Sequence, residues 1–465
     1  MEQVGSAEES IAPLTGRKKE SMKLNRYSRT LVTGMGIASV LLYSSAAYAD
    51  YMRVPVTSEE VQTNLDFVWI CLAAMLVFFM KAGFSMVEIG FTRGKNAVNA
   101  IMKNVMDFAV SSIAFWAFGF GLMFGATNGL FGIDGFFLHS YAQTQDPWLY
   151  SFWMYQLVFV SSVAAIVSGA MAERTRFVAS LMFTTALAVF IYPVFGSWVW
   201  GGLHDGSGWL ENLGFIDFAG STVIHAVGGW AGLAGTLVLG PRIGKFRADG
   251  SAAPIPGHNL PLAALGTLIL WFGWYGFNAG NTLSGNETIA QILINTTLAG
   301  AGGAIAGMTT ACFRFGKADA GITLNGALAG LVAITAGCAH VEPIWAIVIG
   351  VLAGIIVVHS IIFFDKMGID DPVGAISVHG VCGFWGTLAV GIFKSGEMFQ
   401  LRNILIQLLG SVVAFIWAFF VSYFVFKVIS FIVTLRVSEE DELRGLDLSE
   451  HANEAYPDFQ IWHNK

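Results

Sequence analysis

Eleven predominantly apolar runs recur along the chain, near residues 65–91, 105–125, 148–170, 178–200, 217–240, 260–283, 287–308, 322–338, 344–364, 373–393 and 404–430. A helix that crosses ~30 Å of hydrocarbon needs about 20 such residues, and a backbone inside lipid must satisfy its own hydrogen bonds, so these runs predict transmembrane helices. The expected fold is therefore an all-α polytopic membrane protein with eleven transmembrane helices. Charge placement agrees. Residues 65–430 hold only 15 Lys and Arg and 17 Asp and Glu. Charged residues make up 12% of the whole chain, against roughly 25% in an ordinary soluble domain. Such a composition excludes a cytosolic globular protein, a disordered chain and a nucleic-acid binder. Four scattered cysteines, Cys71, Cys312, Cys338 and Cys382, form no CxxC pattern and indicate no disulfide framework.

The ends read differently from the middle. Lys23, Arg26 and Arg29 precede an apolar stretch from Leu31 to Leu42, which closes on Ala47-Tyr48-Ala49. That is the form of an export signal with a small-x-small cleavage site, and it predicts a mature start at Asp50. Residues 1–21 lie upstream of this charge cluster, so Met22 is read as the start of translation. The organisation expected is an N-terminal extension with a cleaved signal over 1–49, an extracytoplasmic segment over 50–64, a membrane domain over 65–430 and a cytoplasmic tail over 431–465. Orientation follows from the loops. Those after odd-numbered spans carry Arg93, Lys95, Lys103, Arg174, Arg176, Arg242, Lys245, Arg247, Arg314, Lys317 and Lys366, whereas the opposite loops carry Lys394 and Arg402. Positive loops stay in the cytoplasm, which places the mature N-terminus outside and the tail inside.

Spans five and ten open with related strings, Asp217-Phe-Ala-Gly-Ser-Thr-Val-Ile-His225-Ala-Val-Gly-Gly-Trp-Ala-Gly232 and Asp371-Pro-Val-Gly-Ala-Ile-Ser-Val-His379-Gly-Val-Cys-Gly-Phe-Trp-Gly386. An odd and an even span run in opposite directions, so the two copies indicate an inverted five-plus-five repeat with a central pore. Each histidine lies eight residues beyond its aspartate, about 12 Å below opposite surfaces at 1.5 Å per residue, so the two converge near the midplane. The glycines around them allow close helix approach. One buried histidine is ordinarily a satisfied core residue. Two at equivalent repeat positions point instead to a transport site, where imidazoles can donate at one nitrogen and accept at the other. A metal site is a poor rival, because only Cys382 could join the pair and no carboxylate lies at matching depth. Bis-histidine haem is also disfavoured, and no cofactor is expected.

Asp217 and Asp371 stand at helix starts, where a carboxylate caps free N–H groups. Asp217, on the outer side, can additionally favour an arriving cation. Phe277 and Asn281 share a face of span six near its outer end, and Trp200 closes span four on the same side. Lys81 and Glu88 share a face of span one, and Lys103 and Asp107 stand four apart. Both are read as structural pairs. No nucleophile–base pair or nucleotide loop is visible, so no enzyme is expected.

The string Asp217 to Arg242, DFAGSTVIHAVGGWAGLAGTLVLGPR, resembles the signature of the Amt/Mep/Rh ammonium transporters, of bacterial Amt type. Further matches are Ala82-Gly83-Phe84 through Glu88, Arg93 to Asn96, Gly169-Ala-Met-Ala-Glu173-Arg174, Gly273-Trp-Tyr-Gly-Phe277-Asn-Ala-Gly280, Asp370-Asp371-Pro372 through His379-Gly-Val-Cys-Gly383, and the tail from Gly445-Leu-Asp447 to Tyr456. The resemblance implies a homotrimer in the bacterial inner membrane, each subunit with its own narrow pore. It implies His225 and His379 as pore histidines, Phe159 and Phe277 as a stacked gate, and Trp200 as part of an outer ammonium site supported by Asp217. Members of this type usually have serine where this chain has Asn281, and phenylalanine where it has Tyr155. The implied activity is recruitment of ammonium at Trp200, Phe159 and Asn281, deprotonation, and passage of ammonia past the histidines. The tail implies a regulatory element with a PII-type trimer as partner. An ammonium receptor on the same scaffold is the rival. Such sensors resemble transporters fused to a signalling domain, and only about thirty polar residues follow the last span, which favours transport.

Overall fold

The structure is a computed structural model that describes residues 57–139 and 146–458. The expected signal segment, its cleavage site and residues 50–56 of the expected extracytoplasmic segment lie outside the described residues. Among those described, no β-strand forms, and pairing outside the helices is limited to three isolated bridges. Ten helices are long and apolar enough to span a bilayer. They are α1 (Ser58–Phe91), α2 (Gly94–Phe124), α3 (Trp148–Ala170), α4 (Phe177–Leu203), α5 (Ser221–Leu239), α6 (Leu260–Thr282), α7 (Thr288–Phe315), α9 (Pro343–Lys366), α10 (Ile376–Phe393) and α11 (Leu401–Ile432). Where the sequence predicts an eighth span over 322–338, a shorter apolar helix, α8, runs from Ala320 to Ile334. The reason is local. The carbonyls of Thr335 and Ala336 accept from the N–H groups of Ala219 and Phe218, so the chain leaves the helix to brace the segment that leads into α5.

α3, α5 and α10 form the buried centre, while α11 presents most of its surface outward. α7, α8 and α9 cross through small residues. A Cβ on Gly303 would overlap the backbone of α8 at Gly326, and one on Gly354 would overlap that of α7 at Gly303. Such contacts let helices approach where lipid supplies no hydrophobic drive for their association.

The antiparallel relation of α5 and α10 is fixed by their ends. Arg436, just beyond α11, donates to the carbonyl of Leu239 at the end of α5, and Arg242, three residues further along, binds Asp370 just before α10 begins. The end of α5 and the start of α10 therefore share one face of the bundle, called the tail side here; Asp217 stands on the far side.

Each of the two helices opens on an irregular turn. Gly220 (φ 108°) and Gly374 (φ 78°) take the left-handed conformation that suits glycine. Ser221–Ala226 and Ile376–Val381 are then wound as π-helix, a form that recurs at functional sites. Asp217 accepts from the N–H groups of Gly220, Thr222 and Val223, and Asp371 from those of Ala375 and Ile376, so both aspartates cap as expected. The crossing is reciprocal. Gly229 of α5 lies against the backbone of Gly380, and Gly383 of α10 against that of Ser221 and Ala226. Positions 154 apart in sequence thus exchange contacts, which is the symmetry of the repeat carried into packing.

Candidate functional site

The crossing brings the two histidines together. His225 and His379 meet Nδ1 to Nδ1 at 3.1 Å, with ring centroids 5.1 Å apart and planes 26° from parallel. One Nδ1 must donate and the other accept. If both rings are neutral, the pair offers a lone pair at one outer nitrogen and an N–H at the other. His225 is fully buried, yet its Nε2 has no protein partner. That nitrogen is therefore available to bond a small molecule at the crossing.

Aromatic rings continue the column toward the far side. His225 stacks on Phe277 at 5.4 Å, Phe277 meets Phe159 edge-on at 4.8 Å, and Phe159 faces Trp200 at 6.0 Å. Both phenylalanines are completely buried, and Trp200 is nearly so. Trp200 donates its indole N–H to the backbone carbonyl of Asp217 at 2.7 Å. The indole face is therefore held by the same segment whose carboxylate caps α5. Asp217 itself turns its oxygens toward the backbone N–H groups of Gly220, Thr222 and Val223. Asn281 lies one turn beyond Phe277. Its amide nitrogen donates to the Tyr155 hydroxyl at 3.0 Å and to the Phe277 carbonyl at 2.9 Å, leaving its Oδ1 as the acceptor it can offer a ligand. Tyr155, edge-on to Phe159 at 4.6 Å, spends its own hydroxyl on the carbonyl of Phe277. The polar mouth is thus a cross-linked Tyr155–Asn281 unit.

His225, His379, Phe277, Phe159 and Trp200 fall on this one column, with Asn281 one turn beyond Phe277 and Asp217 tied to Trp200 through its backbone carbonyl, whereas Asp371 caps α10 on the tail side; two neighbours in the column were missed. Trp274 stacks on His225 at 5.1 Å and is anchored by Thr335, and Phe84 faces His379 at 6.3 Å. Trp274 precedes Phe277 by three residues and so shares its helix face, which is a usable signal. Phe84 stands in the string Ala82-Gly83-Phe84 that the sequence singles out, but no spacing along α1 ties it to His379 on α10.

The expected charge pairs are corrected. Lys103 pairs with Glu88 at 2.9 Å, Lys81 donates to the Ser161 carbonyl, and Asp107 accepts from Thr184. Lys81 and Glu88 stand about 10 Å apart along their helix at 1.5 Å per residue, too far for contact. Lys103 reaches across from α2 instead.

An all-helical membrane protein with a buried aromatic and histidine column at the crossing of two inverted halves is the class these features define. Comparison with known proteins narrows it. Residues 68–456 match the Ammonium Transporter Family. Ammonium transporter Amt2 of Archaeoglobus fulgidus is 44% identical over 452 residues, spanning 91% of this chain and 95% of that one. A putative ammonium transporter of Synechocystis, sll0537, is 42% identical over 416 residues, 86% of this chain and 76% of the other. Among solved structures, one described as a Sensor Amt Protein superposes with a TM-score of 0.81 at 42% identity, covering 84% of this chain and all of that one. Candida albicans Mep2 gives 0.75 at 28% identity, covering 86% and 93%. The chain belongs to the ammonium transporter family.

Proposed function

We propose that this protein transports ammonium across a bacterial inner membrane by accepting it at the far side, removing a proton and conducting ammonia past His225 and His379. The observation that carries the reading is the unpartnered Nε2 of His225 at the end of a hydrogen-bonded imidazole pair, closed off by Phe277 and Phe159. Moving a bare cation into such an apolar column costs on the order of tens of kcal/mol. Ammonium escapes that cost by releasing a proton, and potassium has no proton to release. Selectivity then follows from chemistry rather than from size. Trp200, with Phe159 beside it, offers a π face that attracts a cation, Asn281 Oδ1 offers an acceptor, and Asp217 contributes negative charge. Phe159 and Phe277 form the gate. The loop charges support an orientation with the tail in the cytoplasm, and the expected assembly is a homotrimer with a PII-type protein as its cytoplasmic partner.

Reconstituted vesicles loaded with a pH dye supply the test. Ammonium flux should exceed potassium flux, and the His225→Ala/His379→Ala double variant should lose it. Wild-type flux in that double variant would falsify the assignment of the column. The likeness to a protein described as a sensor keeps one second reading, an ammonium receptor with little transport. It predicts saturable ammonium binding to the purified protein with no flux in the same vesicles.

A further inference from the structure

The column does not end at His379. On the tail side of this ring lies a cavity of about 30 Å³, enough room for a molecule the size of water. Its wall includes His379, Phe84, Val378, Leu270, Asn325 and Glu88. Two of these are unusual for such a place. Asn325 is more than nine-tenths buried, and its Nδ2 donates to the Val373 carbonyl at 3.3 Å, but its Oδ1 has no partner. Glu88 is 3% exposed and carries a carboxylate inside a membrane helix. That carboxylate is held in place by Lys103 at 2.9 Å, Asn104 at 2.8 Å and Ser168 at 3.2 Å. A buried ion pair is poor evidence of stability, since its desolvation offsets its attraction, and an ionisable residue at this depth is a functional candidate first.

We propose that Glu88 and Asn325 form a second substrate site on the tail side of the histidines, at which ammonia regains its proton. The inference rests on the conduction reading above. Asn325 Oδ1 accepts an N–H of the incoming ammonia and positions it. Glu88 takes the proton that ammonium left at the far side and that the histidine pair has relayed: an N–H bond of His379 breaks as an O–H bond forms on the carboxylate. That O–H bond then breaks as the ammonia nitrogen gains a fourth hydrogen, and Glu88 returns to its carboxylate. Lys103 stays charged throughout and holds the carboxylate between steps. One ammonium ion leaves one side and one appears on the other, with no co-reactant. Transport is then electrogenic, and Glu88 is a proton-exchanging residue rather than part of a structural pair.

Current and ammonia permeation, measured on the same proteoliposomes, test this. Solid-supported-membrane recording reads the ammonium-driven current, and a trapped pH dye reads ammonia permeation. In Glu88→Gln the ratio of current to permeation should fall about 100-fold, the ordinary size of a positioned proton donor's contribution, and Glu88→Asp should restore part of it. A purely structural role lowers both quantities together. Asn325→Leu leaves the ion pair intact and should lower both by filling the cavity, which keeps the site testable if Glu88→Gln fails to fold. Wild-type current in Glu88→Gln, or wild-type flux in Asn325→Leu, overturns the site. A wild-type protein that permeates ammonia without current overturns the site and leaves the conduction reading standing, whereas a wild-type protein with neither overturns both.

Discussion

At the scale of single residues, Asp217 carries the negative charge that the proposed function assigns to the mouth of the column. Burial pushes its carboxyl up to about 6, against the pull of the N–H groups of Val223, Thr222 and Gly220. Above that pH the group is an anion below the Trp200 face, and below it the group is neutral. Ammonium stays protonated over the whole range, so only the protein changes. The half-saturating ammonium concentration of the transport current should therefore rise as far-side pH falls through about 6, and Asp217→Asn should show the weak-affinity value at every pH. A current whose affinity follows the wild-type pH profile in Asp217→Asn would remove Asp217 from recruitment. The same aspartate has a second duty as the cap of α5, so Asp217→Asn should also lower the thermal unfolding midpoint. Replacing such a cap by alanine typically costs ~0.5–2 kcal/mol, and asparagine, which keeps one accepting oxygen, should cost less.

At the scale of elements, the decisive contact is the α5–α10 crossing. A Cβ on Gly229 would overlap the Gly380 backbone, and one on Gly383 would overlap the Ser221 carbonyl. Gly383→Val must separate the two helices or strain them, at ~1–3 kcal/mol for an overpacked site. It should lower the midpoint of thermal unfolding in detergent and, because the histidines meet only through this crossing, abolish flux even in protein that remains folded. Normal flux from folded Gly383→Val would show that the histidines do not need it. Much of this was legible in sequence. The aspartate-to-histidine spacing, repeated 154 residues apart, gave both ends of each helix cap and the meeting of the rings. What was not legible lay between helices. Spacing along one helix cannot show that Lys103 of α2 reaches Glu88 of α1, that Asn325 of α8 opens onto the cavity beside His379, or that Thr335 leaves α8 to brace Phe218 and Ala219. The π-wound turns were equally hidden, because hydrophobic periodicity does not separate them from ordinary helix over six residues.

At the scale of the whole molecule, the tail side is tied together by charge. Glu173, in the left-handed conformation (φ 71°), binds Arg93 at the end of α1 and Arg242 after α5, while Asp370, before α10, binds Arg242 and accepts from it at 2.8 Å. Burial would raise the Glu173 carboxyl, but Arg242 and Arg93 override it and hold it at about 2. Since the folded value lies below the ordinary 4.5, the stabilisation is complete above pH 4.5 and is lost as pH falls toward 2. Thermal stability should thus begin to decline below about pH 4.5, and Glu173→Gln should flatten that decline.

The tail is built onto this cluster through two short helices, α12 (Glu439–Arg444) and α13 (Leu446–His451). Glu442 accepts from the N–H of Ile243, Lys95 donates to the carbonyls of Glu442 and Leu443, Asp447 accepts from the N–H of Asn99 at the start of α2, and Tyr456 bonds His258 at 2.8 Å. With Glu450 accepting from the N–H of Phe177 after α3, one segment contacts the chain after α1, α3 and α5. Asp447→Ala leaves the N–H of Asn99 without its acceptor, at a cost of about 1–2 kcal/mol. That change should speed hydrogen exchange by roughly tenfold across residues 96–99 and in α13 alike, with exchange in α5 and α10 unchanged if the tail is only a cover. Faster exchange at residues 221–226 in the same variant would show that tail docking reaches the histidine crossing itself.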